Sequence, residues 1–153
     1  MSAFAGLRNG QVFENGNYLT PGGLYAVEIQ RCMVKKTRKG KTGLLVEFVV
    51  LESSSEKHLV GSKATWFQDL NADGGFGAIK LFVYALMGHE YAAKKDWLIA
   101  NIDPGIEALM DKAVEGNGDA LKGSKLRCET VGKKTKENRD FTQHHWSPYA
   151  KAT

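Results

Sequence analysis

A basic segment from Val34 to Gly43 separates two apolar runs of the chain and contains five lysines or arginines but no acidic residue. Apolar residues alternate with polar ones from Leu24 to Met33, and a nearly continuous apolar run follows from Leu44 to Leu51. Such runs are typical of half-buried or buried β-strands. Positive charges at this density repel one another, so the segment must be exposed and favours a polyanionic ligand. We therefore predict two antiparallel strands joined by a basic hairpin loop.

A second basic segment, Val131–Arg139, lies between strand-like runs at Lys125–Val131 and Phe141–Trp146. The net charge is only +4, but residues 31–41 and 122–139 together hold 13 of the 21 lysines and arginines. Positive charge concentrated in two segments suits a nucleic acid or another anionic surface. The alternative interpretation is that both segments are merely solvated turns.

The periodicity of the apolar residues changes once along the chain. A third strand is predicted at His58–Leu70, with Val60, Ala64 and Trp66 facing inward. After Gly75 the apolar residues recur every three or four positions, which predicts a helical insert over residues 76–116. Strand character then returns on both sides of the second basic segment. The predicted order is therefore three strands, a helical insert and two strands.

This order predicts a mainly β fold, the five-stranded Greek-key barrel called the OB-fold, with helices between strands 3 and 4. In that fold the loops joining strands 1 and 2 and strands 4 and 5 border the ligand groove, and the two basic segments fall on those loops. At 153 residues the chain has room for one good core. We expect an N-terminal arm at residues 1–22, the barrel at 23–146 and a short C-terminal tail at 147–153.

Several segments carry a resemblance to a known family. They are Gly23–Ile29, the lysine-rich turn that follows it, Leu45–Leu51, Trp66–Asn71 and Ala78–Phe82. With these segments the chain, over roughly residues 22–146, resembles the small single-stranded-DNA-binding proteins encoded by bacteriophages. The resemblance implies a role in phage DNA replication, recombination or repair. Many such proteins recruit partners through an acidic tail, whereas the tail here contains Lys151 and no acidic residue.

Binding a single strand requires cations along the backbone and aromatic faces for the bases. The cations that we assign to this role from the first segment are Lys35, Lys36, Arg38, Lys39 and Lys41. Those from the second segment are Lys133, Lys134, Lys136 and Arg139, and Lys63 extends the set across the third strand. The stacking candidates are Phe67, Phe141, Trp146 and Tyr149. Core packing is the alternative role for Phe141 and Trp146, and it is the role that we expect for Tyr25 and Trp66.

The two cysteines, Cys32 and Cys128, lie within predicted strands, and we expect both to be reduced and buried. The N-terminus lacks the pattern of a signal peptide, and the longest mostly apolar run, Ile79–Met87, is far too short to span a bilayer. We therefore expect no membrane partner and a cytoplasmic location, in the host cell if the protein is phage-encoded.

No catalytic constellation stands out in the sequence. His144 and His145 are adjacent, so on a strand they point to opposite faces and do not easily bind one metal ion. We expect no enzymatic activity, no cofactor and no metal. The expected partner is single-stranded DNA, and self-association as a dimer or as a cooperative array on DNA is left open. Two alternatives are a protein-binding module or inhibitor whose basic loops meet an acidic partner, and a metal-dependent nuclease.

Overall fold

The computed structural model describes residues 18–55, 57–72, 74–134 and 140–149. Its strands are β1 (Leu24–Lys36), β2 (Thr42–Ser53), β3 (Lys63–Asp69), β4 (Lys125–Lys134) and β5 (Asp140–Pro148). Its helices are α1 (Gly75–Leu86), α2 (Tyr91–Asn101) and α3 (Asp103–Ala113), and they follow one another between β3 and β4. The strands form one antiparallel sheet in the order β3-β2-β1-β4-β5. The predicted mainly β architecture of five strands is confirmed.

A bulge in β1 decides which of its residues face the core. Ile29 pairs with Phe48 and Arg31 pairs with Glu47, so Gln30 is an extra residue on β1. A β-bulge therefore lies immediately before Arg31. It shifts the alternation by one position, which buries Cys32 and turns Met33 outward to a half-buried position. A strict alternation continued from Val27 and Ile29 would put Met33 on the core face, but the inserted residue turns it away.

The core lies on the inner face of the curved sheet and is covered by α1. Apolar side chains at alternating positions of the strands form most of this core, joined by Ile79, Phe82 and Val83 from α1. The predicted core residues Tyr25 and Trp66 are buried. Phe82 contacts Trp66 at a centroid distance of 5.1 Å and Trp146 at 5.3 Å. The helix therefore packs against both edge strands, which makes the sheet barrel-like.

The segment before β1 is fastened to the domain from Tyr18 onward. Leu19 is 2% exposed and belongs to the core. The Thr20 amide donates a hydrogen bond of 3.0 Å to Nε2 of His58 in the β2–β3 loop. The Thr20 carbonyl accepts a 2.6 Å bond from the Thr130 hydroxyl on β4. Residues 18–22 thus connect two distant parts of the sheet, while the rest of the predicted arm, residues 1–17, lies outside the described residues.

The third strand is shorter than predicted. It begins at Lys63 rather than His58, because residues 57–62 form a turn in which Gly61 has a φ of 90°. Val60 lies in this turn and is 69% exposed, so its assignment to the core is wrong. Ala64 and Trp66 face inward as predicted. Among the described residues, no helix has the length and apolar character needed to cross a membrane.

Candidate nucleic-acid interface

The first basic segment is a tight hairpin between β1 and β2. The Thr37 amide donates to the Lys41 carbonyl at 2.7 Å, and the Gly40 amide donates to the Thr37 carbonyl at 3.0 Å. Gly40 has a φ of 82°, the left-handed conformation that a three-residue hairpin loop of this kind requires. The turn fixes the register of the two strands, and it places Arg38 and Lys39 at the exposed tip.

The positive charge of this hairpin is not neutralised within the described chain. Its five cations make no ion pair with any described residue, and all five are exposed. By contrast, Arg31 pairs with Glu47 at 3.2 Å and Arg127 pairs with Glu52 at 3.1 Å. Arginines outside the hairpin thus form ion pairs with two glutamates of the sheet. The positive charge of the hairpin therefore remains available to an anionic ligand.

A half-buried aromatic ring lies beside this hairpin. Phe67 is on the outer face of β3, where it pairs with Leu45, and Leu45 pairs with Met33. The Phe67 ring covers Gly43, since a Cβ at position 43 would collide with it. Gly43 in turn pairs with Lys35 on β1. The aromatic surface and the first hairpin cations are therefore neighbours on the outer face of the sheet.

The β4–β5 hairpin presents a similar combination. Phe141 pairs directly with Lys133 and is 45% exposed. Both residues line an open depression of about 400 Å³, together with Lys134 and Pro21. Lys136 and Arg139, the other two cations predicted here, lie outside the described residues. The described part of this hairpin thus places one exposed aromatic ring among lysines.

The two hairpins lie beyond opposite ends of β1. Lys36 at its C-terminal end pairs with Thr42, whereas Leu24 at its N-terminal end pairs with Glu129 of β4. A strand of 13 residues is roughly 40 Å long when straight, and the bulges in this pairing bend it. Lys63 is exposed and pairs with Val49 between these ends. A ligand that touches both hairpins must therefore extend along the sheet.

Two of the stacking candidates have other contacts. Trp146 is 9% exposed and packs against Phe48 and Trp66, so its ring is part of the core and is not available to a base. Tyr149 is half-buried and its ring is in contact with two cations, with Lys125 Nζ 5.5 Å and Arg127 Cζ 5.1 Å from the ring centroid. Of the four predicted aromatic residues, Phe67 and Phe141 are therefore the ones best placed to stack on bases.

The sequence analysis did not identify Gly43 as a residue of the site, although a glycine at this position is informative. A glycine at the start of a strand often marks the close approach of another group. Here the group is the Phe67 ring, and the carbonyl oxygen of Gln68 would lie 2.7 Å from a Cβ at position 43. Arg127 was also missed, because its ion pair with Glu52 depends on a cross-strand register that the sequence does not reveal.

Burial limits the chemistry of His144, one of two adjacent histidines on β5. Burial lowers the pKa of His144 to about 4, so the imidazole is neutral at physiological pH. His144 stacks on Trp146 at a centroid distance of 5.7 Å, so it lies on the inner face of the sheet and not on the outer face. Within the described ranges, no group of three or more His, Cys, Asp and Glu residues is arranged to hold a metal ion.

No protein-family model matches this sequence, and a search of curated proteins returned no match. The geometry of the outer face is therefore the basis for a functional proposal. That geometry combines exposed cations, half-exposed phenylalanine rings and an extended sheet surface between them.

Proposed function

We propose that this protein binds single-stranded DNA with little sequence preference, on the outer face of its sheet. One observation carries the proposal: the Phe67 ring lies over Gly43, next to a hairpin whose five cations form no ion pair with any described residue. Stacking of a base on an aromatic ring contributes about 1–3 kcal/mol, and it tolerates any base because every base has a π-face. The cations supply the attraction for the phosphates.

The shape of the surface favours a single strand over a duplex. The Phe67 ring rests on the strand backbone instead of projecting from the surface, so it can meet a base only when that base is unstacked and turned toward the sheet. Bases in a duplex are stacked on one another and are not available for such a contact. A duplex can still bind weakly through its phosphates, because that attraction needs no base contact.

The second hairpin extends the proposed surface. Phe141 and Lys133 repeat the pairing of an aromatic ring with a cation at the other end of β1, and Lys63 lies between the two ends. A strand that spans both hairpins therefore runs along the sheet and meets aromatic rings near each end. Proteins that bind single strands on one barrel cover about 4–16 nucleotides. Self-association along the DNA is compatible with this arrangement.

We also propose that the sheet is an OB-fold barrel. The strand order, the position of the helices between β3 and β4 and the contact between Trp66 and Trp146 support it. The resemblance to phage single-stranded-DNA-binding proteins supports a non-enzymatic role in phage DNA replication, recombination or repair, in the cytoplasm of the host. The alternative is a protein-binding module whose hairpins meet an acidic partner.

The test is a binding titration with fluorescently labelled oligo-dT, followed by anisotropy over a range of salt concentrations. We expect tight binding at low salt, a linear fall of log K with log salt, and weak competition by a duplex of equal length. A protein that bound no oligo-dT at low salt would refute the proposal. In that case the acidic protein partner becomes the leading candidate, to be sought as a stoichiometric complex.

A further inference from the structure

Trp97 differs from the two other tryptophans of the chain in its exposure. It lies on α2 and is 46% exposed, whereas Trp66 is 2% and Trp146 is 9% exposed. All three tryptophans fall within the described residues. A tryptophan exposed to this extent contributes little to the core, and tryptophan is a residue type enriched at contact surfaces.

The helix that carries Trp97 does not need the ring for packing. Leu98 is its one buried residue, and it anchors α2 to the rest of the domain. The ring is nevertheless held in place, because His89 meets it in an edge contact at a centroid distance of 4.9 Å. The Nζ atom of Lys94 lies 5.4 Å from the ring centroid. Trp97 is thus an oriented aromatic ring with a cation over one face.

A depression in the surface lies next to Trp97. Lys94 has φ −137° and ψ 27°, which interrupts the helix at that residue. Residues 92–97 line an open depression of about 470 Å³ that includes Lys94, Lys95 and Asp96. Ala92 and Ala93 complete its lining, and Trp97 is the one large apolar side chain in it. The depression therefore combines one indole ring with two cations and one carboxylate.

We propose that Trp97 is a second stacking site for a base of single-stranded DNA, separate from the sheet, and that Lys94 and Lys95 bind the neighbouring phosphates. The inference rests on the proposed function and extends the bound strand onto the helical insert. The Lys94 ammonium group already lies over the ring, so a base that stacks on this face displaces it toward the neighbouring phosphate. Indole is also the best aromatic partner for a cation, so Lys94 remains near the ring when no ligand is bound.

Tryptophan fluorescence tests this proposal directly. Because Trp66 and Trp146 are buried, Trp97 accounts for most of the emission that acrylamide can quench in the free protein. We expect oligo-dT to reduce the emission and to protect it from acrylamide. The variant Trp97→Phe should lose this signal but keep most of its affinity, because phenylalanine also stacks.

Affinity provides the second measurement. Trp97→Ala should weaken the binding of a long oligo-dT by about 5- to 150-fold, the range expected for loss of one stacked base. Phe76→Ala is the matched control, since Phe76 is an exposed aromatic residue on α1 without a lysine over its ring among the described contacts. This control should bind like the wild type. Thermal unfolding should show both variants to be folded.

The outcomes separate this inference from the proposed function. If the wild type binds oligo-dT while the Trp97 emission and the affinity of Trp97→Ala stay unchanged, the second site is refuted and the sheet surface stands. If the wild type binds no oligo-dT at any salt concentration, the proposed function itself fails, and this inference fails with it.

Discussion

Trp66 on β3 and Trp146 on β5 are in contact, with ring centroids 5.1 Å apart, although their strands are the opposite edges of the sheet. Phe82 of α1 touches both rings. These three side chains hold β3 and β5 close together, although the described residues of these two strands do not pair with each other. Trp146 is therefore a structural residue, and its substitution should affect stability before it affects ligand binding.

We expect Trp146→Ala to lower the free energy of unfolding by about 3–5 kcal/mol, the usual effect of removing a large buried aromatic ring. Trp146→Phe should cost much less, because it keeps a ring and removes the indole N–H, which is buried and has no hydrogen-bond partner in the described chain. Urea denaturation measures both values. Loss of oligo-dT binding by a fully stable Trp146→Phe protein would contradict this assignment.

Phe67→Ala should weaken oligo-dT binding by about 5- to 150-fold while leaving the salt dependence unchanged, because stacking releases few counterions. Phe67→Tyr retains the aromatic face and should bind almost like the wild type. The comparison requires anisotropy titrations at several salt concentrations. Equal affinities for the alanine and tyrosine variants would exclude Phe67 as a stacking residue.

Gly43→Ala tests the same surface without removing the ring. The added methyl group must displace Phe67 and crowd the carbonyl oxygen of Gln68, so we expect a loss of about 1–3 kcal/mol in stability. We also expect weaker oligo-dT binding with an unaltered salt slope, since no charge is changed. Urea denaturation and anisotropy give the two quantities, and an unchanged affinity would show that the position of the ring is unimportant.

Replacement of Lys35, Lys36 and Lys39 by alanine should weaken binding at low salt. It should also flatten the plot of log K against log salt by about 2, because each phosphate contact on a single strand contributes about 0.7 to the slope. The matched control replaces Lys57, Lys112 and Lys122, which are also exposed and carry the same total charge. If both triple variants gave the same slope, net charge alone would explain the binding.

Acid should destabilise the protein through His144. Burial holds the pKa of this imidazole at about 4, below the ordinary value of 6.5, so the unfolded chain takes up the proton first. The free energy of unfolding should therefore fall as the pH drops from 6.5 to 4, by up to roughly 3 kcal/mol. His144→Phe should reduce this pH dependence in urea denaturation. Part of it should persist, because burial also lowers the pKa of His58.

The sequence predicted the strands, the helical insert and the basic hairpins from local periodicity, which depends only on neighbouring residues. Alternation alone does not show that Met33 faces outward, because one bulged residue reverses the faces of the residues that follow it. The role of Trp146 was ambiguous for a different reason: a large aromatic residue suits a core and a binding face equally well, and only its contacts across the sheet decide. The separation of the two hairpins likewise depends on the pairing of β1 with β4.

The attachment of residues 18–22 has a practical consequence for anyone who produces this protein in shortened form. A fragment that starts at Gly23 lacks Leu19, and it also lacks the Thr20 groups that bond to His58 and Thr130. Such a fragment leaves a hole in the interior and frees the imidazole of His58 from its backbone donor. Any cleavage site, affinity tag or fusion partner should accordingly be joined ahead of Tyr18.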